Sequence, residues 1–478
     1  MTSQTLTHSI AAQPLPGPRA LPLLGGRARM LPLLRDPVVY MRDLYRHYGP
    51  LVALSSGQRP FVFGFAPEFN RLLLSNPGRF HNGDRDTIPF GPPSDSAAYR
   101  LATGLTAMND GKHTQQRRLM MPAFHRKRVE AYHSTMSDLA ARAIAAWQPG
   151  DVRDMQREMK NIALAVAFKT LLGLDLTPAG ERLRVLVEAW MRASFDPLAL
   201  LLPFDVPGLP FRRQLQLSTR VERALSAMIA YKRRSGADRG DVLAMLMQAH
   251  DEDGSTLSDA ELIAHTLTLF VAGHETTANA LTWTLFLLAQ HPAVLADLRD
   301  ELAVLGGAAP ALDQIDALPL LDRVIKESLR LMPPAIFLLR VAMADEPFGA
   351  YTIPQGSFLF YSPPITHRLP DLYPQAERFD PARWETIHPS LYEYLPFAAG
   401  PRMCIGATFA TLEMKLVLPL ILARFTPVPA AGRRVDRAPG ALLAPKGGLP
   451  MRLLPAGASP PHRPVDGNVW DIVTRPLG

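Results

Sequence analysis

A single cysteine, Cys404, stands among the 478 residues, so no intramolecular disulfide can form and no cysteine cluster can hold zinc or an iron–sulfur group. That suits a reducing cytoplasm. No stretch supplies the ~18 uninterrupted apolar residues that a membrane-spanning helix needs, and residues 1–13 lack the basic-then-apolar pattern of a secretory leader. Long basic runs and aromatic-interleaved basic stripes are missing too. The 51 lysines and arginines exceed the 44 acids by a dispersed margin, which gives nucleic-acid binding little footing. With 47% hydrophobic and 20% charged residues, the chain is not a disordered regulator either.

Proline is plentiful, at 46 residues beside 32 glycines, so long punctuated connections should join the ordered elements. The length permits a core large enough to enclose a ligand, and neither an internal repeat nor an interdomain linker is visible. One large domain is expected over 14–454, between a polar flexible arm at 1–13 and an irregular C-terminal extension at 455–478. Pro14-Leu15-Pro16-Gly17-Pro18 reads as an extended lead-in.

Leu51–Leu54 and Pro60–Phe63 flank a short turn and predict a β-hairpin. Residues 81–105 read as a long ordered loop, the kind that is usually functional. Helical patterns dominate from Lys112 to His291, broken by the apolar, proline-rich segment Phe195–Phe211, which has the character of a lid or mouth. Ser258 and Glu261 form a capping box for a helix reaching His291, about 50 Å long, whose apolar first half marks it as buried. Short strands follow Leu331, and a further helix spans Ile405 to Phe425.

Phe397-Ala398-Ala399-Gly400-Pro401-Arg402-Met403-Cys404-Ile405-Gly406 gathers residues with separable jobs around a metal-bound thiolate. Gly400 permits a tight turn, Gly406 permits close approach of a flat ligand, and the start of a helix favours Cys404 as thiolate. Arg402 can pair with an anionic ligand edge. A lone cysteine is more often a buried free thiol, so the reading rests on the whole pattern.

Mid-way along the long helix, Ala272-Gly273-His274-Glu275-Thr276-Thr277 puts an acid and two hydroxyls where burial is costly without partners. Either the threonines bond back to carbonyls one turn earlier and Glu275 is ion-paired elsewhere, or the group does chemistry. Glu327-Ser328-Leu329-Arg330 sets an acid and a base on one helical face. About 50 residues later come Ala376-Glu377-Arg378-Phe379 and Asp380-Pro381-Ala382-Arg383-Trp384. His113 and Arg117 lead a basic stretch with Arg118, Arg126, Lys127 and Arg128, which is either a solvated face or an anion site.

In this order and at these separations, the motifs resemble those of the cytochrome P-450 haem-thiolate monooxygenases. The resemblance implies a mainly α fold with small β-sheets, enclosing haem b with Cys404 as axial thiolate, a ligand that favours O–O cleavage. It sets Phe397 and Gly406 beside the ring, and His113, Arg117, Arg340 and Arg402 at its carboxylates. Ala272 would leave room above the iron, with Thr276 and Glu275 delivering protons to dioxygen. Glu327, Arg330 and Arg378 would form a buried network serving folding.

The implied reaction inserts one oxygen atom of dioxygen into an apolar organic substrate, by hydroxylation or epoxidation, with electrons from a separate ferredoxin and ferredoxin reductase. Alternative classes are a peroxide-driven peroxygenase, a haem isomerase or dehydratase, and a non-catalytic haem sensor. The Glu275-Thr276 pair argues against the first two, and the lack of a visible output domain argues against the sensor. Segments 85–108, 195–211, 264–272, 335–339 and 442–443 would line the pocket. A cytoplasmic monomer without a transmembrane anchor is expected.

Overall fold

Ser258 accepts a hydrogen bond from the Glu261 N–H, and the Glu261 carboxylate accepts one from the Ser258 N–H at 3.0 Å, closing the predicted capping box. The helix started there runs Asp259–Gln290 for 32 residues, about 48 Å, and Pro292 opens the next one. Every residue from Thr277 to Leu288 is buried. This long helix packs against helix Met155–Leu172 along its length and also touches helices Pro319–Leu331 and Ala407–Leu422. The computed structural model describes residues 13–18, 26–54, 59–83, 92–175, 177–194, 196, 198–199, 202–236, 240–251, 254–458 and 465–476.

Helices dominate, and the sheets are small. The largest runs Leu51–Ala53, Phe61–Gly64, Phe358–Tyr361, Leu338–Ala342, Phe80–His81 in spatial order. Its first pair is antiparallel with Leu51 opposite Gly64, so the two expected strands pair; the turn at 55–58 lies outside the described residues. Phe63 stacks on Phe360 across the parallel pair at 4.6 Å, and such aromatic cross-strand contacts help set register. A second sheet joins Val152–Asp154, Pro450–Pro455 and Phe425–Pro429.

Two sequence expectations change, and a third falls partly outside the described residues. The 81–105 stretch contains a helix, Ala97–Leu101, capped by the Ser96 side chain, and a 3-10 turn at Leu105–Ala107; residues 84–91 of that stretch lie outside the described ones. The helix after the cysteine is shorter than Ile405–Phe425: it spans Ala407–Leu422, and Phe425 already belongs to a strand. In Phe195–Phe211, four residues, Phe195, Pro197, Leu200 and Leu201, lie outside the described residues, and a helix begins at Pro210.

Among its described residues, the tail holds a 3-10 turn, Asn468–Asp471, and is part of the core. Val469, Ile472 and Val473 are fully buried. The buried Arg368 guanidinium donates to the Ile472 carbonyl from two nitrogens, at 3.0 and 2.9 Å. Arg437 pairs with both Asp36, at 2.8 Å, and Asp471, at 3.3 Å, tying the tail to the N-cap of helix Pro37–Tyr48. Among the described residues no helix is long and apolar enough to cross a membrane.

Candidate active site

Gly400 adopts φ +71°, and a Cβ there would come within 2.2 Å of the Leu74 carbonyl oxygen. Both the turn and the close approach therefore demand glycine. The loop it bends is fastened by the Cys404 N–H donating to the Phe397 carbonyl at 2.9 Å, while the Phe397 side chain packs on the main core. Gly406 caps the helix Ala407–Leu422. A Cβ on Gly406 would meet nothing nearer than the Cys404 sulfur at 4.0 Å, so open space lies beside it. Cys404 is accessible although protein surrounds it, and open space lies beside its sulfur at Gly406. Burial pushes its thiol up, opposed by the Gly406 N–H and the Arg117 charge. A coordinated metal cation would reverse that balance and hold the thiolate.

Near Cys404 stands a cluster of cations from three elements. Helix Asp110–Phe124 carries His113 and Arg117, strand Leu338–Ala342 carries Arg340, and the turn Gly400–Arg402 carries Arg402. Arg340 is buried beside the Tyr361 ring. Arg402 donates to the Met108 carbonyl at 2.7 Å and to Asn109 Oδ1 at 2.9 Å. Burial, and then repulsion from Arg340 and Arg117, pull Arg402 down to about 10, with Asp110 opposing. His113 is pulled down to about 4 by burial and by Arg402, Arg117 and Arg340, so it is neutral at pH 7. Three arginines held close against their mutual repulsion suit a ligand whose edge carries negative charge.

The long helix interrupts its buried surface at Ala272, which is exposed mid-helix. A methyl side chain there leaves space where a larger one would fill it. Thr276 Oγ1 donates to the Ala272 carbonyl at 2.8 Å, the local back-bond that Thr commonly makes in helices. Glu275 forms an ion pair with Lys160 at 2.9 Å, from helix Met155–Leu172. No sequence signal points to Lys160, because it lies 115 residues from its partner. The predicted wall segments do meet in part. Ala335 and Leu442 form an antiparallel bridge, and Gly104 is so close to the long helix that a Cβ would sit 2.2 Å from Thr268 Oγ1.

Glu327 and Arg330 are fully buried and joined by two 2.8 Å hydrogen bonds. Their third partner is Arg383, at 3.0 Å from Glu327, and not Arg378. Arg378 supplies its main-chain carbonyl to Arg330, while its guanidinium goes to Gln375 at 3.1 Å. Trp384 Nε1 and the Asp380 N–H complete the set on Glu327, each at 3.0 Å. Burial pushes the Glu327 carboxyl up, but Arg330, Arg383 and Asp380 outweigh it and hold the group below its ordinary range.

A sequence model of the cytochrome P450 family matches residues 15–449. The chain belongs to the cytochrome P450 family. This P450 is 34% identical over 425 residues to a cyclooctat-9-en-7-ol 5-monooxygenase of Streptomyces melanosporofaciens, covering 87% of this chain and 90% of that protein. Pentalenene oxygenase of Streptomyces avermitilis is 32% identical over 427 residues, covering 87% and 92%. Among solved structures, a retinoic acid-bound cyanobacterial CYP120A1 superposes with a TM-score of 0.81 at 25% identity, covering 93% of this chain and all of that one. The P450 is thus a monooxygenase, an oxidoreductase whose cofactor is haem b held by a cysteine thiolate. Its residues fit that group: the one cysteine of the chain is solvent-accessible, with open space at Gly406 beside the sulfur and a cluster of arginines near it.

Proposed function

We propose that this P450 inserts one oxygen atom of dioxygen into a terpenoid hydrocarbon, drawing two electrons from a separate ferredoxin and ferredoxin reductase. The observation that carries the reading is a lone cysteine beside a cluster of arginines, in a chain whose long helix also carries an acid–threonine pair. The haem, when bound, supplies the iron chemistry that activates dioxygen. The terpenoid class is supported by relatives named for a cyclooctatin-type alcohol and for pentalenene, and by the leucine-, phenylalanine- and alanine-rich wall segments.

In this reading Cys404 ligates the iron, Gly406 and Phe397 bound the ring, and His113, Arg117, Arg340 and Arg402 neutralise its two carboxylates. Neutral His113 donates one N–H without adding charge to an already cationic cluster. Ala272 leaves space for the small reactants. Thr276 Oγ1 holds a proton, now donated to the Ala272 carbonyl, that it can give up to a reactant. Glu275, tied to Lys160 and partly exposed, exchanges protons with solvent and restores that of Thr276.

The cysteine side of the molecule suits an electron donor. A hollow of about 750 Å³ is lined by His113, Arg117, Arg118, Met121, His125 and others. Met121 and Met403 are exposed beside it, and adaptable methionines suit a transient partner. The basic face is less bare than the sequence suggests: Arg118 pairs with Asp251 at 2.6 Å, Arg126 with Glu130 at 2.8 Å, and Arg128 turns inward to the Gly240 carbonyl.

The test is turnover of terpene hydrocarbons with ferredoxin, ferredoxin reductase, NAD(P)H and isotopically labelled dioxygen. One labelled oxygen atom per product supports the proposal. Product carrying no label, or product formed with hydrogen peroxide alone and not with the reductase system, overturns it.

A further inference from the structure

Helix Ala97–Leu101 has five residues, too few to be stable alone, and of these Leu101 alone belongs to a hydrophobic cluster. It packs chiefly on helix Pro210–Ser235 and on the long helix Asp259–Gln290. What fastens it to the first of these is Arg100, whose Nε and Nη2 donate to the two oxygens of Glu222 at 2.6 and 2.8 Å, across 122 positions of sequence. This two-point geometry is the strong, directional form of the arginine–carboxylate contact. Arg100 Nη1 donates to the Asp95 carbonyl at 2.6 Å, so the guanidinium also stiffens the turn into its own helix.

The two partners are seated differently. Glu222 stands on a 26-residue helix, with Val221 and Leu225 fully buried beside it and Trp190 Nε1 of helix Pro178–Ser194 donating to Ser218 Oγ at 2.9 Å. Arg100 stands on a short segment whose other anchor is Gly104. A Cβ on Gly104 would sit 2.2 Å from Thr268 Oγ1 and 2.9 Å from the Ala264 carbonyl oxygen, so main chain lies directly on the long helix there. Thr268 precedes Ala272 by one turn on the same face. The segment is thus pinned near the space at Ala272 by one end and clasped to a neighbouring helix by the other.

We propose that the Arg100–Glu222 pair is a latch that sets how fast a bulky apolar guest enters and leaves the space beside Ala272, while small molecules pass without its opening. The proposal rests on the reading above that guest and haem meet there. Both side chains keep contact with water, at 41% and 19% exposure, so the pair can part without stranding a charge. With it parted, the segment swings on Gly104, a residue type that tolerates a large change of φ and ψ. Its apolar footprint, Ala97, Ala98 and Leu101, is small enough to give way. A pair serving only to hold the fold together would be sealed among several partners, as Glu327 and Arg330 are; water can replace the bonds of this one.

The experiment mixes the full-length haem-loaded enzyme with clotrimazole, a bulky azole whose nitrogen ligates haem iron, and in parallel with imidazole, and follows the Soret shift by stopped flow. Arg100→Ala and Glu222→Ala should each raise the clotrimazole association and dissociation rate constants by up to about fivefold, the ceiling for an ion pair this exposed. Its affinity and the imidazole rates should stay nearly unchanged. The double variant should match the singles, because all three lack the same pair. Folded variants with the parent's clotrimazole rates would overturn the proposal, and so would effects that add. The parent supplies a test that needs no substitution: molar salt, which screens the pair, should speed clotrimazole and not imidazole, and indifference to salt would contradict the latch. Backbone hydrogen exchange separates the latch from the haem reading. An azole that produces no Soret shift in the parent fails that reading, whereas exchange over residues 97–103 no faster in the variants than in the parent fails the latch.

Discussion

Thr276 and Glu413 show how differently two polar side chains on core helices can be held. Thr276 has its back-bond to Ala272 and needs no other partner to be stable, so its hydroxyl is free to serve chemistry at little structural cost. Thr276→Ala should leave haem content and substrate-induced spin shift nearly intact. It should divert electrons to peroxide, seen as less product per NAD(P)H oxidised; unchanged coupling would remove Thr276 from the proton path. Glu413, by contrast, is fully buried in the cysteine helix, and neither carboxyl oxygen has a hydrogen-bond partner. Burial pushes it up to about 8 from an ordinary 4.5. The folded state therefore binds a proton that the unfolded state releases between these values, so this contribution is complete below pH 4.5 and is lost as pH rises through 8. Glu413→Gln should flatten that decline in thermal stability between pH 5 and 8, by at most about 1.4 kcal/mol per pH unit. A variant with the parent's pH profile would show that Glu413 is not the titrating group.

Elements carry their own lesson in the network around Glu327. Arg378 and Arg383 lie five residues apart in a proline-rich stretch, and composition cannot distinguish them. What decides is the 3-10 turn Pro381–Glu385, which aims Arg383 at Glu327 and leaves Arg378 to offer only its carbonyl. Arg383→Ala should cost about 3–5 kcal/mol, the usual penalty for stripping one partner from a buried pair. Arg378→Ala should cost within about 0.5 kcal/mol, because its exposed guanidinium makes one bond to Gln375. Denaturant melts of the two variants give the comparison, and equal losses would contradict the assigned partner. Other elements were legible because their signals are local. The capping box at Ser258, the antiparallel pair Leu51–Ala53 with Phe61–Gly64 and the glycine-bent cysteine loop each depend on residues close in sequence. Lys160 with Glu275, and the Arg402–Asn109 contact, were not legible because they join residues that only the fold brings together.

At the scale of the whole molecule, the tail illustrates the same limit. Its prolines and irregular backbone disguise a segment whose Val469, Ile472 and Val473 fill the core and whose Ile472 carbonyl receives the buried Arg368. Ending the chain after residue 464 should expose that arginine's partners and several apolar side chains, leaving a protein that loses haem and aggregates on mild heating. A truncated protein with the parent's melting temperature would show the packing to be dispensable. The central claim concerns the cysteine that organises everything around it. The most direct measurement is the reduced carbon monoxide spectrum of Cys404→Ser beside that of the parent. The parent should give the red-shifted Soret band of a thiolate-ligated haem and the variant should lose it; a variant that keeps the band would place the ligand elsewhere and contradict the account.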